Sequence, residues 1–274
     1  MTAMQRIERR MKKAHSLFCV GLDPDLQSMP KTFRLSKTPL FDFNEMVIDA
    51  THHYVCAYKL NSAFYEAFGA RGIQQLYDTC AFLHKKYPDI PIILDAKRGD
   101  IDSTNTGSVK FAFEYLSVDA ITLHPYLGKQ ALQPFLGRKD KVCIVLCRTS
   151  NPGAGEFQDV HGVRNESLYL RVARNVVKHW NINKNCMLVV GATYPSQLQK
   201  VRNIVGNMTI LVPGVGAQGG NLRRILHAGL SKKGDGLIMT ISRAIIYAGD
   251  QKHIENAAQQ YYTHIEELRH AKQQ

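Results

Sequence analysis

The chain has 274 residues, of which 45% are hydrophobic and 21% are charged, a composition typical of soluble proteins with a sizeable core. No stretch approaches the roughly 18 uninterrupted apolar residues of a membrane helix, and the basic N-terminus lacks the apolar run of a secretory signal. We therefore expect a cytoplasmic protein that does not span a membrane.

The formal net charge of +12 allows two kinds of partner, because a basic surface attracts nucleic acid and also concentrates small anionic substrates. The basic residues are scattered, with no long run and no aromatic platform for single strands. This pattern favours a small anion over nucleic acid. The six cysteines lack metal-ligand spacing, so we expect them to be reduced core residues.

Along the chain, short apolar runs alternate with segments of helical periodicity. The predicted strands are 17–22, 55–61, 90–94, 119–123, 142–147, 187–190, 209–212 and 236–239. The predicted helices are 41–54, 73–86, 104–116, 130–136, 168–180, 195–205, a helix ending at 230, and 254–268. The segment 27–38 lacks periodicity, and we expect it to pack outside the strands or across one end of them.

Eight strand-then-helix units predict a single domain, 1–274, folded as a parallel (β/α)8 barrel. An open doubly wound sheet is the competing layout. Against it, no G-x-G-x-x-G turn follows the first strand. In addition, the polar residues that follow six of the strands would meet at the mouth of a closed barrel.

The third strand is followed by a dense group of charges, in which Asp95, Lys97 and Asp100 fall within six residues. Asp23 follows the first strand, and Lys59 lies at the end of the second. A barrel mouth would gather these alternating charges into one cluster, in which each sign keeps the other ionised. Such a cluster offers preorganised electrostatics and a protonated lysine as general acid.

A second group of residues is suited to phosphate. The glycine-rich loop 213–220 precedes a helix and offers backbone N–H groups, and Arg243 after the eighth strand offers a bidentate donor. Barrels commonly bind phosphate at the loops after strands seven and eight.

Taken together, these residues resemble the orotidine 5'-phosphate decarboxylases, in their longer-chain bacterial form. The family signature Asp-x-Lys-x-x-Asp-Ile-x-x-Thr matches residues 95–104. The other matching residues, in the family's order, are Gly21, Asp23, Lys59, Pro213, Gln218 and Arg243. One departure is Asp102, which stands where glycine is usual; if a helix begins there, an acid suits its positive end.

The resemblance implies decarboxylation of orotidine 5'-monophosphate to uridine 5'-monophosphate in pyrimidine synthesis, without metal or organic cofactor. Lys97 would stabilise the carbanion at C6 and donate its proton, and Asp95 would lie near the substrate carboxylate. Lys59 and Asp95 would hold Lys97 in place. Asp23 would bind a ribose hydroxyl, and so would Asp100.

The resemblance also implies a homodimer with shared active sites and a set of substrate-binding residues. Across the interface would come Asp100, Ile101 and Thr104. Thr149 or Ser150 would read the pyrimidine. The phosphate would be held by Pro213, Gln218, the backbone of Gly219 and Gly220, and Arg243.

Two other functions remain open. A magnesium-dependent decarboxylase or aldolase acting on a sugar phosphate would share Asp-x-Lys-x-x-Asp, but such relatives carry an acid where Lys59 stands, because a metal prefers carboxylate ligands. A non-catalytic protein that binds nucleotides or RNA could retain the phosphate residues. It would have no use for a lysine flanked by paired acids.

Overall fold

A computed structural model describes residues 1–162, 165–216 and 221–271. Its eight strands form a closed parallel barrel in chain order, with β1 hydrogen-bonded to both β2 and β8. The strands are β1 (Phe18–Leu22), β2 (Ala57–Asn61), β3 (Ile92–Arg98), β4 (Ala120–Leu123), β5 (Val142–Arg148), β6 (Cys186–Val190), β7 (Ile210–Pro213) and β8 (Leu237–Ile241). The predicted (β/α)8 barrel is thereby confirmed, and the open doubly wound sheet is excluded.

Helices separate the strands and surround the barrel. The first seven are α1 (Ala3–Ala14), α2 (Lys31–Arg34), α3 (Pro39–Thr51), α4 (Ala63–Glu66), α5 (Gly69–Lys86), α6 (Asp102–Val109) and α7 (Gly128–Ala131). The others are α8 (Gln133–Leu136), α9 (Gly155–Gln158), α10 (Leu168–Asn175), α11 (Pro195–Val205), α12 (Leu222–Gly229), α13 (Arg243–Ile246) and α14 (Gln251–Ala271). Single π-helical segments, Lys110–Tyr115 and Val176–Trp180, extend α6 and α10.

Two apolar layers hold this arrangement together. Residues that point outward from the strands pack against the helices, whereas residues that point inward, such as Ile93, Ile144 and Ile238, fill the barrel. Because successive side chains on a strand point to opposite faces, every strand contributes to both layers. The six cysteines are free and buried in these layers.

The sequence patterns did not predict helix α1, which lies at the N-terminal end of the barrel. It begins with a capping box, in which Thr2 Oγ1 accepts from the Gln5 backbone N–H and Gln5 Oε1 accepts from the Thr2 N–H. Ala3 and Ile7 are buried with the interior residues. The helix therefore covers the end of the barrel opposite the ends of the strands that carry the charged residues.

The segment 27–38 contains the short helix α2. Met29 is buried, and the Phe33 ring packs edge-on against Phe43 of α3, with their centroids 5.5 Å apart. Arg34 donates hydrogen bonds to two carbonyl oxygens of the same segment, those of Gln27 and Met29. Among the described helices, none is both long enough and apolar enough to cross a membrane.

Candidate active site

The inward-facing residues change from apolar to polar toward the carboxyl ends of the strands. On β2 the interior residue Ala57 is followed two positions later by Lys59, and on β3 Ile93 is followed by Asp95. Both polar side chains are buried, with 4% of Lys59 and 9% of Asp95 exposed. The strand alternation therefore places these two charges in the uppermost layer of the barrel, where barrel enzymes carry their active sites.

Four charged side chains form a continuous array in this layer. Lys59 Nζ lies 3.5 Å from Asp23 Oδ1 and 3.2 Å from Asp95 Oδ2. Lys97 Nζ lies 2.7 Å from the other oxygen of the same carboxylate, Asp95 Oδ1. The order Asp23, Lys59, Asp95, Lys97 alternates in sign, as the sequence predicted. The Lys97 side chain is about half exposed and faces the open end of the array.

The array keeps its buried members ionised. Burial by itself would raise the pKa of Asp95, but the charges of Lys59 and Lys97, with hydrogen bonds from Lys97 and Thr122, hold that pKa well below its usual range. Burial would likewise lower the pKa of Lys59, yet Asp23 and Asp95 together raise it above its usual value. Lys59 and Asp95 are thus both charged where water is scarce, and this is a preorganised electrostatic environment.

The backbone of β3 is irregular at Lys97. Strand pairing with β4 runs from Leu94 opposite Ile121 to Arg98 opposite Leu123, so three residues of β3 face one of β4. Lys97 has a φ of 47°, in the left-handed region that residues other than glycine seldom adopt. Bulges and strained backbone of this kind occur at active sites, where they redirect a side chain.

The residues that follow β3 lie apart from the array. Asp100 is exposed, its Oδ1 accepts from the Ile101 backbone N–H at 2.7 Å, and its own N–H donates to Asn105 Oδ1. Ile101 is 57% exposed, and Thr104 is exposed in the first turn of α6. Among the described residues, no hydrogen bond or ion pair joins Asp100 to Lys59 or Lys97.

Helix α6 begins at Asp102, where we expected an acid at a helix start. The φ of Asp102 is 21°, at the edge of the left-handed region. Glycine is the usual residue here in the resembled family, and it adopts this conformation without steric penalty.

The exit of β5 is held by a buried arginine that the sequence patterns did not reveal. Arg148 is 2% exposed and donates two hydrogen bonds of 2.9 Å to the two carboxylate oxygens of Asp159. Its guanidinium lies 4.1 Å from the centroid of the Tyr194 ring and donates to the Thr149 carbonyl oxygen. Arg148 therefore joins the start of the segment after β5 to Asp159 at the other end of that segment, and to Tyr194 in the loop after β6.

Thr149 and Ser150 lie within the segment 149–159, which Arg148 holds in place. The Thr149 N–H donates to Gln158 Oε1 at 2.8 Å, and Gln158 Nε2 donates to Thr149 Oγ1 at 2.8 Å. Ser150 packs closely against Gly191 at the end of β6, where an added Cβ would lie 2.6 Å from Ser150 Cβ. A glycine at 191 thus allows the loops after β5 and β6 to meet at the mouth.

The predicted phosphate residues lie at the ends of β7 and β8. Pro213 is the last residue of β7, and Arg243 is the first residue of α13, with an exposed side chain. Gln218, Gly219 and Gly220 lie outside the described residues. Next to Arg243, Ser242 Oγ donates to the Gly21 carbonyl oxygen at 2.9 Å, which joins the exits of β8 and β1.

A comparison with protein-family models matches residues 16–260 to the orotidine 5'-phosphate decarboxylase / HUMPS family. The chain belongs to this family. Among the orotidine 5'-phosphate decarboxylases, that of Cellvibrio japonicus is 44% identical over 260 residues, 94% of each chain, and that of Thermomicrobium roseum is 47% identical over 250 residues, 90% of this chain and 88% of the relative.

Solved structures of the family agree with the fold. The orotidine monophosphate decarboxylase of Leishmania donovani superposes with a TM-score of 0.87 at 38% identity, covering 98% of this chain and 99% of that one. The UMP synthase of the same organism superposes with a TM-score of 0.88 at 39% identity. The match covers 57% of that longer protein and 98% of the chain described here.

The structure brings together some of the predicted site residues and separates others. Asp23, Lys59, Asp95 and Lys97 form one array, whereas Asp100, Ile101 and Thr104 lie outside it. Sequence reasoning missed Thr122, Arg148 and Gln158, each of which contacts a predicted site residue. A lone threonine or glutamine carries no motif, but an arginine at the end of an apolar strand was a usable signal of a buried ion pair.

Proposed function

We propose that this protein decarboxylates orotidine 5'-monophosphate to uridine 5'-monophosphate, with Lys97 as the proton donor. The observation that carries the proposal is the array itself, in which Lys97 Nζ rests 2.7 Å from a carboxylate that a second lysine also holds. The family and the names of the relatives support the same reaction.

The reaction forms a carbanion at C6, which a nearby positive charge can stabilise. The bond between C6 and the carboxylate breaks, its electron pair stays on C6, and carbon dioxide leaves. The ammonium of Lys97 stabilises the carbanion and transfers one proton to C6, after which water restores the proton to the lysine. Asp95 disfavours the substrate carboxylate relative to the transition state, and Lys59 fixes Asp95.

We propose the following substrate contacts. Asp23 binds a ribose hydroxyl, supported by its place in the array, where Lys59 Nζ lies 3.5 Å from its Oδ1. Thr149 or Ser150 reads the pyrimidine. Their place in the segment after β5, which Arg148 holds, supports this role. Arg243, with Pro213, Gln218, Gly219 and Gly220, binds the phosphate.

We further propose that the reaction requires no metal. The two carboxylates nearest the reacting lysine, Asp23 and Asp95, already have ammonium groups as counterions. A divalent cation placed between them would be repelled by Lys59 and Lys97. This donor set disfavours the magnesium-dependent alternative.

The test measures carbon dioxide release from orotidine 5'-monophosphate in the presence of a chelator. We expect the wild type to remain active and Lys97→Ala to lose turnover while keeping the thermal unfolding midpoint. Lys200→Ala removes an exposed ammonium on α11 and serves as the matched control. Turnover by Lys97→Ala near the wild-type rate would reject the assigned proton donor, and loss of activity with chelator would restore the metal-dependent alternative.

A further inference from the structure

We propose that Thr122 of β4 is a positioning residue for the decarboxylation, because its hydroxyl joins the Asp95 carboxylate to the backbone of Lys97. The inference rests on the proposed function and assigns a residue to it that carries no motif of its own. Thr122 is 1% exposed and occupies the uppermost interior position of β4, two residues beyond the interior residue Ala120.

The direction of both hydrogen bonds follows from the groups involved. A backbone N–H can only donate, so the Lys97 N–H donates to Thr122 Oγ1, at 2.9 Å. An ionised carboxylate can only accept, so Thr122 Oγ1 donates its single proton to Asp95 Oδ1, at 2.8 Å. The hydroxyl therefore has one arrangement, in which it fixes both the carboxylate and the residue that carries the ammonium.

The bulge in β3 explains why a side chain performs this task. Between the pairs Leu94 with Ile121 and Arg98 with Leu123, Thr122 is the one residue of β4 opposite three residues of β3. At Lys97 the φ of 47° departs from the strand conformation. The hydroxyl of Thr122 serves as the acceptor for the N–H of this displaced residue.

The consequence for catalysis is geometric. Asp95 Oδ1 receives two donors, Lys97 Nζ at 2.7 Å and Thr122 Oγ1 at 2.8 Å, so the hydroxyl restrains the oxygen that the reacting ammonium contacts. Without the hydroxyl, the Lys97 N–H and one site on Asp95 lose their partner, and the bulge is free to relax. A displacement of about 1 Å in a catalytic group costs on the order of 10²-fold in rate.

The experiment compares Thr122→Val, which keeps the branched shape without the hydroxyl, with Thr122→Ser, which keeps the hydroxyl. We expect Thr122→Val to lower kcat about 10²-fold with KM and uridine 5'-monophosphate affinity unchanged, because the Thr122 hydroxyl bonds to Asp95 and to the Lys97 backbone and so positions the catalytic groups. Thr122→Ser should restore kcat to near the wild-type value. A residue that acts only on stability would not produce this split between kcat and KM.

The matched control is Thr79→Val on α5. Thr79 is fully buried, and its hydroxyl also both donates, to the Gln75 carbonyl oxygen, and accepts, from Asn44 Nδ2. It lies in the helical layer, so the substitution should lower the thermal midpoint and leave kcat unchanged.

Several outcomes would overturn the proposal. They are wild-type kcat in Thr122→Val, an equal loss in Thr122→Ser, and a rise in KM with kcat retained. If Thr122→Val does not fold, Thr122→Ala provides the same comparison, and failure of both to fold beside a folded Thr79→Val would assign Thr122 a structural role. A wild type that releases no carbon dioxide would instead refute the proposed function.

Discussion

Among single residues, Lys59 shows how much the buried charges depend on one another. Its side chain is 5% exposed, and its ammonium lies between Asp23 and Asp95. Removing Lys59 would leave the carboxylates of Asp23 and Asp95 desolvated with only Lys97 to balance them, and breaking a buried ion pair costs about 3 to 5 kcal/mol. We therefore expect Lys59→Met to lower the free energy of unfolding by about that amount, measured by urea denaturation at pH 7.

The pH dependence of this loss has a definite sign. The pKa of Asp95 is held below its usual range in the folded protein, so its contribution to stability is present above the unfolded pKa and disappears as the pH falls through the folded pKa. The difference between wild type and Lys59→Met should thus shrink as the pH falls below about 4, the ordinary pKa of an aspartate. Lys86→Met is the control, because Lys86 pairs with Asp49 at the surface and should cost much less. Equal losses in the two variants would contradict the buried array.

At the scale of elements, the segment between β5 and α10 depends on the Arg148 contact with Asp159 described above. Asp159→Asn keeps the shape of the side chain but removes its charge, so the two charge-assisted hydrogen bonds weaken. We expect the segment that carries Thr149 and Ser150 to loosen. KM for the nucleotide should rise several-fold, and limited proteolysis within 149–162 should become faster.

The control uses a pair of the same kind before the start of β5. Arg138 Nε and Nη2 each donate at 3.0 Å to one carboxylate oxygen of Asp140, in a second two-bond contact. Asp140→Asn should therefore leave KM unchanged. A similar rise in KM in both variants would mean that the effect does not come from the segment after β5.

Elements also differ in how readily the sequence predicts them. The strands and the large helices follow from periodicity, since each buries one face or both. Helix α1 has 12 residues, many of them basic, and buries only Ala3, Ile7 and Arg10. Its apolar face is therefore too narrow for the sequence pattern to indicate an amphipathic helix. The bulge in β3 could not be predicted, because it depends on the register of β4 and not on local sequence.

For the whole molecule, the barrel was predictable because eight units of strand and helix close a parallel sheet. The clustering of Asp23, Lys59, Asp95 and Lys97 was predictable for the same reason, whereas the prediction that Asp100 joins them was wrong. Contacts between residues far apart in sequence were not: Thr122 is 27 residues from Asp95, and Asp159 is 11 residues from Arg148. Such contacts can be predicted only when the register of the assembled barrel is known, because the sequence alone does not show which residues are neighbours.

The assembly of two molecules is the remaining proposal at this scale. Asp100 lies outside the array of its own chain, and Ile101 is 57% exposed beside it. Asp100 lines a groove with Glu66, Arg98, Thr104 and Phe111. We propose a two-fold homodimer in which Asp100, Ile101 and Thr104 of each subunit complete the other subunit's site, because a two-fold interface is self-complementary.

Mixing two inactive variants, Lys97→Ala and Asp100→Ala, tests this arrangement. If Asp100 acts across the interface, a mixed dimer has one site with both defects and one site with neither, so about half of the wild-type activity per mixed dimer should return after subunit exchange. Lys97→Ala mixed with Asp95→Ala is the control. Lys97 and Asp95 belong to the array of the same chain, so each site of this mixed dimer keeps one defect and no activity should return. If the Asp100→Ala mixture also stays inactive although exchange is complete, Asp100 serves its own subunit and the shared site is refuted.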